Sequence, residues 1–467
     1  MTRFKYKATV ILVFAVSIFS VSCGGPASSG KGNTPRPDSA GAPAEVPVST
    51  AKYTDDGRRI ITIGTWYDRY YVSKHKDIND DPRMTEPVTA QMQLDAVRKI
   101  EAKYNVVLNY VNLTFEGVQE SINSSAGTGM PDVDIYEADL QFGIPAALNN
   151  YAVSLEEMGL RGTDVFGPQT VMKYLALTGQ QETFLFTPAS NGATNAYVLA
   201  FNMDLIDAAR LPNPQDLYDR GEWTWEKWRE YLRALTRDTD GDGSIDIYGF
   251  SGYWTYLLAN LLLSNNTGIA PGLTETLSDR KTTAVLEFIN TIYNIDKTAR
   301  PWDRSNWEIN NRLYGEGLSG FWIGADWIFN EQGSGDLPFK IGVVPWPRGP
   351  AGSFEENRHS QPQGNWYFIP RGVEDPRLVY DVIFDWMNWY NGDLSIGAAN
   401  VWSRTMYMTE RNYQYASMMA SKPGFDLWEN LGTGFSLLPL LFAEQTPAEL
   451  VAENRQVFQD ALDKYFK

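Results

Sequence analysis

Cysteine is almost missing: the 467 residues include only one, Cys23. No second thiol exists to pair with it, so the fold rests on its apolar cores even in an oxidising compartment. Histidine is limited to His75 and His359. That leaves little for transition-metal ligation or for nucleophilic chemistry. Positive charge is in deficit, with 40 Lys and Arg against 57 Asp and Glu and a formal net charge of −17. A chain this acidic repels phosphate backbones, which argues against nucleic acid, and it offers no general attraction to anionic lipid. Long apolar runs are confined to Ala8–Phe19, too short to cross a bilayer as a helix. Phosphate-binding Gly-x-x-x-x-Gly-Lys, zinc-binding His-Glu-x-x-His and the Gly-x-Ser-x-Gly elbow do not occur.

The apolar run follows Arg3, Lys5 and Lys7 and leads into Ser20-Val21-Ser22-Cys23-Gly24-Gly25. Basic, apolar and small residues in that order form a secretory signal. With its cysteine at the cleavage point, the segment looks like a bacterial lipoprotein signal, residues 1–22, with Cys23 as the acylated residue. The expected location is extracytoplasmic, tethered to a membrane by lipid without spanning it. Residues 23–57 are rich in Gly, Ala, Ser and Pro and read as a flexible linker, reaching on the order of 30 Å as a random coil.

Beyond the linker the pattern alternates. Arg59–Gly64 reads as a buried strand and 89–103 as an amphipathic helix with Leu94, Val97 and Ile100 on one face; Val106–Val111 and Val133–Tyr136 read as further strands. A second set follows: a strand at Tyr197–Asn202, a helix capped by Thr224 with Trp225, Trp228, Leu232 and Leu235 along one stripe, and a helix around Val285, Phe288, Ile289 and Ile292. Strands at Phe321–Gly324 and Lys340–Pro345 and helices at 376–390 and 449–465 complete it. Strands alternating with helices imply an α/β fold with parallel sheets, whose ligands bind beyond the carboxyl ends of the strands. That rule selects Trp66, Tyr67 and Asp68, and then Glu137 and Asp139.

Aromatic residues are abundant, with 15 Trp and 25 Tyr. Indole and phenol rings combine a flat apolar face with a polar edge, which suits an amphipathic ligand. Gly324-Ala325-Asp326-Trp327 and Gly364-Asn365-Trp366-Tyr367 share one form: glycine beside a strand, a polar residue for hydroxyl groups, then tryptophan for stacking. Trp327 and Trp366 are read as ligand-facing and Trp322 as core.

Asp238-Thr239-Asp240-Gly241-Asp242-Gly243-Ser244-Ile245-Asp246 has the spacing of a calcium loop. Asp238, Asp240, Asp242, Ser244 (through its carbonyl) and Asp246 fall at ligand positions one, three, five, seven and nine, with Gly243 at six. Position twelve is Gly249, so the bidentate Glu is missing. Two readings stay open: a structural Ca²⁺ site, or an acidic turn joining helix to strand.

From Arg58 onward the chain resembles the family 1 extracellular solute-binding proteins, the maltose-binding-protein-like receptors of sugar ABC transporters. The resemblance rests on an ordered set: Gly129-Met130-Pro131-Asp132-Val133, Ala200-Phe201-Asn202-Met203-Asp204, Trp223-Thr224-Trp225-Glu226-Lys227-Trp228, Tyr248-Gly249-Phe250 after the Asp-rich loop, and Val343-Val344-Pro345-Trp346-Pro347. It implies a two-lobed periplasmic-binding-protein-like fold of type II. One lobe would take 58–187 with 321–363 and the other 188–320 with 364–467. Three crossings would lie near Phe186, at 317–320 and at 364–368. It implies a carbohydrate held between the lobes by Trp66, Asp68, Glu137, Asp139, Asn191, Thr194, Tyr253, Trp254, Asp326, Trp327, Asn365, Trp366, Trp402 and Arg404. It implies a monomer that binds without catalysis and meets the transmembrane subunits of an ABC permease. A cell-surface glycoside hydrolase using paired carboxylates and a receptor reporting to a membrane sensor are the competing expectations.

Overall fold

The structure, a computed structural model, describes residues 51–67, 75–80, 87–160, 182–186, 196–304, 314–325, 328–329, 337–361, 365–389 and 404–466. Two sheets carry it. The first has the order β2-β1-β3-β10-β4, built from β1 (Arg59–Thr65), β2 (Val106–Asn112), β3 (Ile135–Ala138), β4 (Ala152–Val153) and β10 (Trp366–Pro370). β1 runs parallel to β2 and to β3, with Ile61 opposite Leu108 and Ile63 opposite both Tyr110 and Ile135. β10 joins antiparallel, with Trp366 opposite Ala138.

Alternation along the strands explains the layering. Ile61 and Ile63 point into a core shared with Val97 and Ile100 of the helix Pro87–Tyr104 and with Val379, Val382 and Ile383 of the helix Pro376–Met387. Tyr136 and Ala138 belong to the opposite core, shared with Val118 and Ile122 of the helix Phe115–Ser124 and with Ile144 and Ala147 of the helix Leu140–Leu148. Asp134 ties the sheet's lower edge: its Oδ1 accepts from Arg59 at 2.7 Å and its Oδ2 from the backbone N–H of Thr62 at 2.8 Å.

The second sheet has the order β6-β7-β5-β8: β5 (Val198–Asn202), β6 (Tyr248–Ser251), β7 (Ser319–Gly324) and β8 (Ile341–Val344). β6 and β7 are parallel, and β5 runs antiparallel to β7 and β8. The expected helix after Thr224 is present as Trp225–Leu235, with the Thr224 hydroxyl accepting from the Lys227 N–H. Trp228 is fully buried and meets Phe250, Phe321 and Trp346 edge-on. Trp322 is also core, stacked on Tyr314 at 4.1 Å. A short pair, β9 (His359–Ser360) with β11 (Pro423–Gly424), packs on the helix Trp254–Ser264.

Strand pairing corrects the expected division of the chain. The resemblance places segment 321–363 in the first lobe, yet β7 and β8 flank β5 in the second sheet. It places segment 364–467 in the second, yet β10 pairs with β3 and the helix Pro376–Met387 packs on the helix Pro87–Tyr104. Residues 317–320 are no crossing: the Leu318 carbonyl accepts from Tyr248, and Ser319 opens β7 within the second sheet. The chain leaves the first sheet after Phe186, which bridges Tyr367, and enters the second at Val198. It returns between Ser360 and Trp366, and it passes again to the second between Met387 and the helix Glu410–Ala420, which packs on β8. Apolar strands of either sheet have the same local pattern, so partner choice is set only by distant residues.

Among the described residues, no helix is long and apolar enough to cross a membrane.

Candidate functional site

The carboxyl ends of β1, β2 and β3 open on one edge of the first sheet, where the antiparallel β10 begins. Trp66 and Tyr67 follow β1 directly and meet edge to face at 5.6 Å. Trp66 also meets Phe115 at 6.0 Å, and Phe115 meets Phe142 at 4.8 Å. Phe115 is 37% exposed, the most open ring of this group. Its position depends on Thr114, whose φ of 66° is strained for a β-branched residue. The side chain of Asn112 accepts from the Thr114 N–H at 3.0 Å, and the Thr114 hydroxyl accepts from Gly117, which together hold the strained residue as a helix cap.

Two carboxylates occupy the same edge. Glu137, at the end of β3, is fully buried and accepts from the Tyr67 hydroxyl at 2.8 Å. Asp139 is half-buried and caps the helix Leu140–Leu148, its Oδ1 accepting from the Gln141 N–H at 3.0 Å. Burial holds the Asp139 carboxyl above the ordinary aspartate range, against the pull of the Gln141 bonds. Trp366, opposite Ala138, is half-buried against the same core, and Asn365 before it is exposed with φ of 63°, a left-handed position that asparagine tolerates.

The second sheet presents the ends of β6 and β7 and the start of β5. Tyr197, just before β5, stacks on Tyr256 at 3.9 Å and 19°. Tyr253 meets Tyr256 at 5.6 Å and Trp302 at 6.0 Å. Trp254 meets Trp428 at 6.2 Å, and Trp428 meets Phe435 at 5.7 Å. Below them, Asp426 receives three backbone N–H bonds, from Ile269 at 2.5 Å, Ala270 at 2.8 Å and Trp428 at 3.1 Å. It is the one buried carboxylate that fixes the turn Leu427–Asn430. That turn packs against the helix Leu140–Leu148 of the first lobe, so the two aromatic walls meet here.

Of the residues expected at a ligand site, Trp66, Glu137, Asp139 and Trp366 therefore share one wall, and Tyr253 and Trp254 stand on the other. Arg404 is exposed; its partners, Glu410 and Tyr413, are on the helix Glu410–Ala420 or at its start rather than on the aromatic walls. Asp68, Asn191, Thr194, Asp326, Trp327 and Trp402, and Cys23, expected as the acylated residue, lie outside the described residues. The structure adds Phe115, Phe142, Tyr197, Tyr256, Trp302, Trp428 and Glu429. Phe115 and Phe142 follow strand ends, so the carboxyl-end rule reaches them. Tyr197 precedes an antiparallel strand, whose amino end faces the site, and that rule passes over it.

The Asp-rich loop sits at the opposite end of β6, closed by a bridge between Arg237 and Ile247. Ligand oxygens of Asp238, Asp240 and Asp246 lie within 4.8 Å of one another. Asp242 is turned to its own loop, accepting from the Ser244 N–H at 2.7 Å. Gly241 and Gly243 have φ of 80° and 92°, conformations that favour glycine. Gly249 lies in β6 and offers no carboxylate. Three converging carboxylates with no basic partner among their hydrogen bonds fit a hard cation of low coordination charge.

No protein-family model matches the chain, and no curated protein matches it in sequence. Solved structures do match. The maltose/maltodextrin-binding domain MalE of Bdellovibrio bacteriovorus, bound to maltotriose, superposes with a TM-score of 0.57 at 13% identity, covering 86% of this chain and 100% of that one. This is a two-lobed, type II periplasmic-binding-protein fold. The GacH receptor of Streptomyces glaucescens, solved unliganded and with acarbose, shares this type II fold at a TM-score of 0.60 and 14% identity over 87% and 99% of the two chains. UgpB of Mycobacterium tuberculosis, in complex with glycerophosphocholine, shares it at 0.59 and 14% over 81% and 98%. In this type II frame the strand ends described above are the facing walls between the lobes.

Proposed function

We propose that this chain is a lipid-anchored, extracytoplasmic receptor that captures a carbohydrate between its two lobes and delivers it to the transmembrane subunits of an ABC importer. The observation that carries this reading is the pair of aromatic walls, Trp66, Tyr67, Phe115 and Trp366 on one lobe and Tyr197, Tyr253, Tyr256 and Trp254 on the other, with Glu137 and Asp139 beside them. Flat rings stack on the apolar faces of pyranoses, and carboxylates accept from their hydroxyls. Structural neighbours bound to maltotriose and to acarbose support the same ligand class. Binding favours the closed arrangement because the ligand touches both walls only there. Cys23 carries the acyl anchor, the linker lifts a monomeric body from the membrane, and no bond of the ligand is broken.

The test is a thermal-shift and small-angle scattering screen against neutral oligosaccharides. A true ligand at a hundredfold excess over its Kd is expected to stabilise the fold by about 2.7 kcal/mol and to reduce the radius of gyration, with no release of reducing ends. Absence of stabilisation by every carbohydrate overturns the reading, and release of reducing ends replaces it with hydrolysis.

The acidic loop is proposed to hold a structural Ca²⁺ through Asp238, Asp240 and Asp246, with the Ser244 carbonyl and Asp242 as further candidates. Its place at the far end of β6 separates it from the ligand walls. Millimolar Ca²⁺ is expected to raise the melting temperature of chelator-treated protein, and Asp240→Asn to abolish the rise. An equal melting temperature with and without Ca²⁺ assigns the loop to an acidic turn.

A further inference from the structure

Phe115 stands out twice. Its phenyl ring has no polar edge, yet 37% of the residue is exposed. Tyr53 is the one other exposed aromatic among the described residues, and it bridges Arg59 at the opposite end of β1 with its hydroxyl toward Glu374. The backbone just before Phe115 is strained as well. Thr114 has φ of 66° and ψ of 168°, a region that glycine enters freely and a β-branched residue does not. Such strain persists only where the surroundings fix it, and it gathers at ligand sites.

The surroundings of Thr114 fix it from both sides. Before it, Leu113 donates its N–H to the Thr65 carbonyl at 2.8 Å, one residue past the end of the β1–β2 ladder. The Leu113 side chain lies over Gly64, where an added Cβ would stand 3.0 Å from Leu113 Cδ1. After it, the Thr114 hydroxyl accepts from the Gly117 N–H at 3.2 Å. Gly117 has no side chain to obstruct that bond, since a Cβ there would stand 3.1 Å from the hydroxyl oxygen. Asn112 closes the frame by accepting from the Thr114 N–H at 3.0 Å. The outcome is the direction of Phe115: its ring meets Trp66 edge-on at 6.0 Å and 86°, and Phe142 at 4.8 Å and 56°. Turning Thr114 to an ordinary negative φ would swing the following chain and part the ring from Trp66. An aromatic platform already fixed in this way loses little further freedom when a ligand stacks on it, whereas a ring on a relaxed backbone must first be ordered.

We propose that Thr114 is a positioning residue: its strained backbone presets the Phe115 ring as the stacking platform of the first wall, and Phe115 is the ring of that wall on which affinity depends. This rests on the carbohydrate-binding reading above and deepens it. Phenyl offers neither donor nor acceptor, so the ligand meets Phe115 with an apolar C–H face, and its hydroxyls are left to the carboxylates nearby.

The experiment uses the full chain and two readouts. Calorimetry against maltotriose, cellotriose, mannotriose and xylotriose first finds the tightest of the four. Phe115→Ala and Thr114→Gly are each expected to weaken that ligand by about tenfold or more. Thr114→Ser keeps the hydroxyl cap and is expected to stay within about twofold of wild type. Added to Phe115→Ala, Thr114→Gly is expected to weaken binding by less than about twofold more, because it acts through the ring. Its melting temperature is expected to hold, since glycine relieves the strain while losing the cap. An unchanged Kd in Thr114→Gly, or an equal loss with and without the ring, overturns the proposal and leaves carbohydrate binding standing. The second readout needs no ligand. With 4-fluorophenylalanine at position 115, the fluorine NMR signal is expected to be a single narrow line, and to broaden or split in Thr114→Gly. The same line shape in both proteins overturns the proposal. Binding of none of the four sugars overturns the carbohydrate reading, and the fluorine line then decides by itself whether Thr114 fixes the ring.

Discussion

Gly342→Ala is expected to cost about 3 kcal/mol, the upper end of the range for overpacking a closed core. Gly342 lies in β8 directly opposite Phe201 of β5. Phe201 folds its ring across the glycine, so an added Cβ would overlap that ring. The ring has no room to retreat: it is fully buried and tilts against Phe321 at 5.9 Å. The strand pair must separate, or the Phe201 side chain must leave its rotamer. Either disturbs the sheet that carries Tyr197 into the site. Chemical denaturation of the purified variant checks this, and Phe201→Leu in the same chain is expected to restore part of the loss with a coupling above 1 kcal/mol. A single variant within 0.5 kcal/mol of wild type would show that the ring moves freely.

Asp426→Ala is expected to be at least as damaging, by about 3–5 kcal/mol. It strands three buried N–H groups, those of Ile269, Ala270 and Trp428, each of which costs about 1–3 kcal/mol unpaired. Trp428 loses its anchor, and with it the contact of the turn with the first lobe, so the ligand-induced shift should disappear as well. Asp426→Asn keeps one acceptor oxygen and should cost less. Burial pushes the Asp426 carboxyl up to about 6, although the three N–H donors pull it down. The folded chain therefore holds a proton that the unfolded chain releases near pH 3.8. Stability from this group is complete below pH 3.8 and is lost as pH rises through 6, at up to about 1.4 kcal/mol per pH unit. Wild type should show this decline between pH 4 and 6, and Asp426→Asn should not. Parallel pH profiles for the two proteins would remove the carboxyl from that role.

Much of the local structure is legible in the chain. The periodicity of Leu94, Val97 and Ile100 marks a helix, and Thr224 before Trp225, Trp228, Leu232 and Leu235 marks both the start and the buried stripe of another. These are short-range effects, set by neighbours within a turn or two. The candidate site was legible where it follows that order. Trp66, Glu137 and Asp139 come at the ends of parallel strands, where the pattern places ligand groups. Tyr197, Trp428 and Glu429 did not stand out, because each reaches the site from an antiparallel strand or from a turn more than 170 residues downstream of Trp254, its neighbour in space.

By itself, then, the sequence determined many of the elements, among them β1, β2, β3 and β5 and the helix after Thr224 with its buried tryptophans, and that the chain is acidic and nearly free of cysteine and histidine. Only the tertiary structure decided that β7 and β8 flank β5, that β10 returns to β3, and that the helix Leu140–Leu148 packs on the distant turn Leu427–Asn430. The physical reason is the range of the interactions. Propensity and periodicity act within a few residues, whereas strand partnership is a competition among buried apolar surfaces of similar composition, settled by packing between segments far apart in the chain.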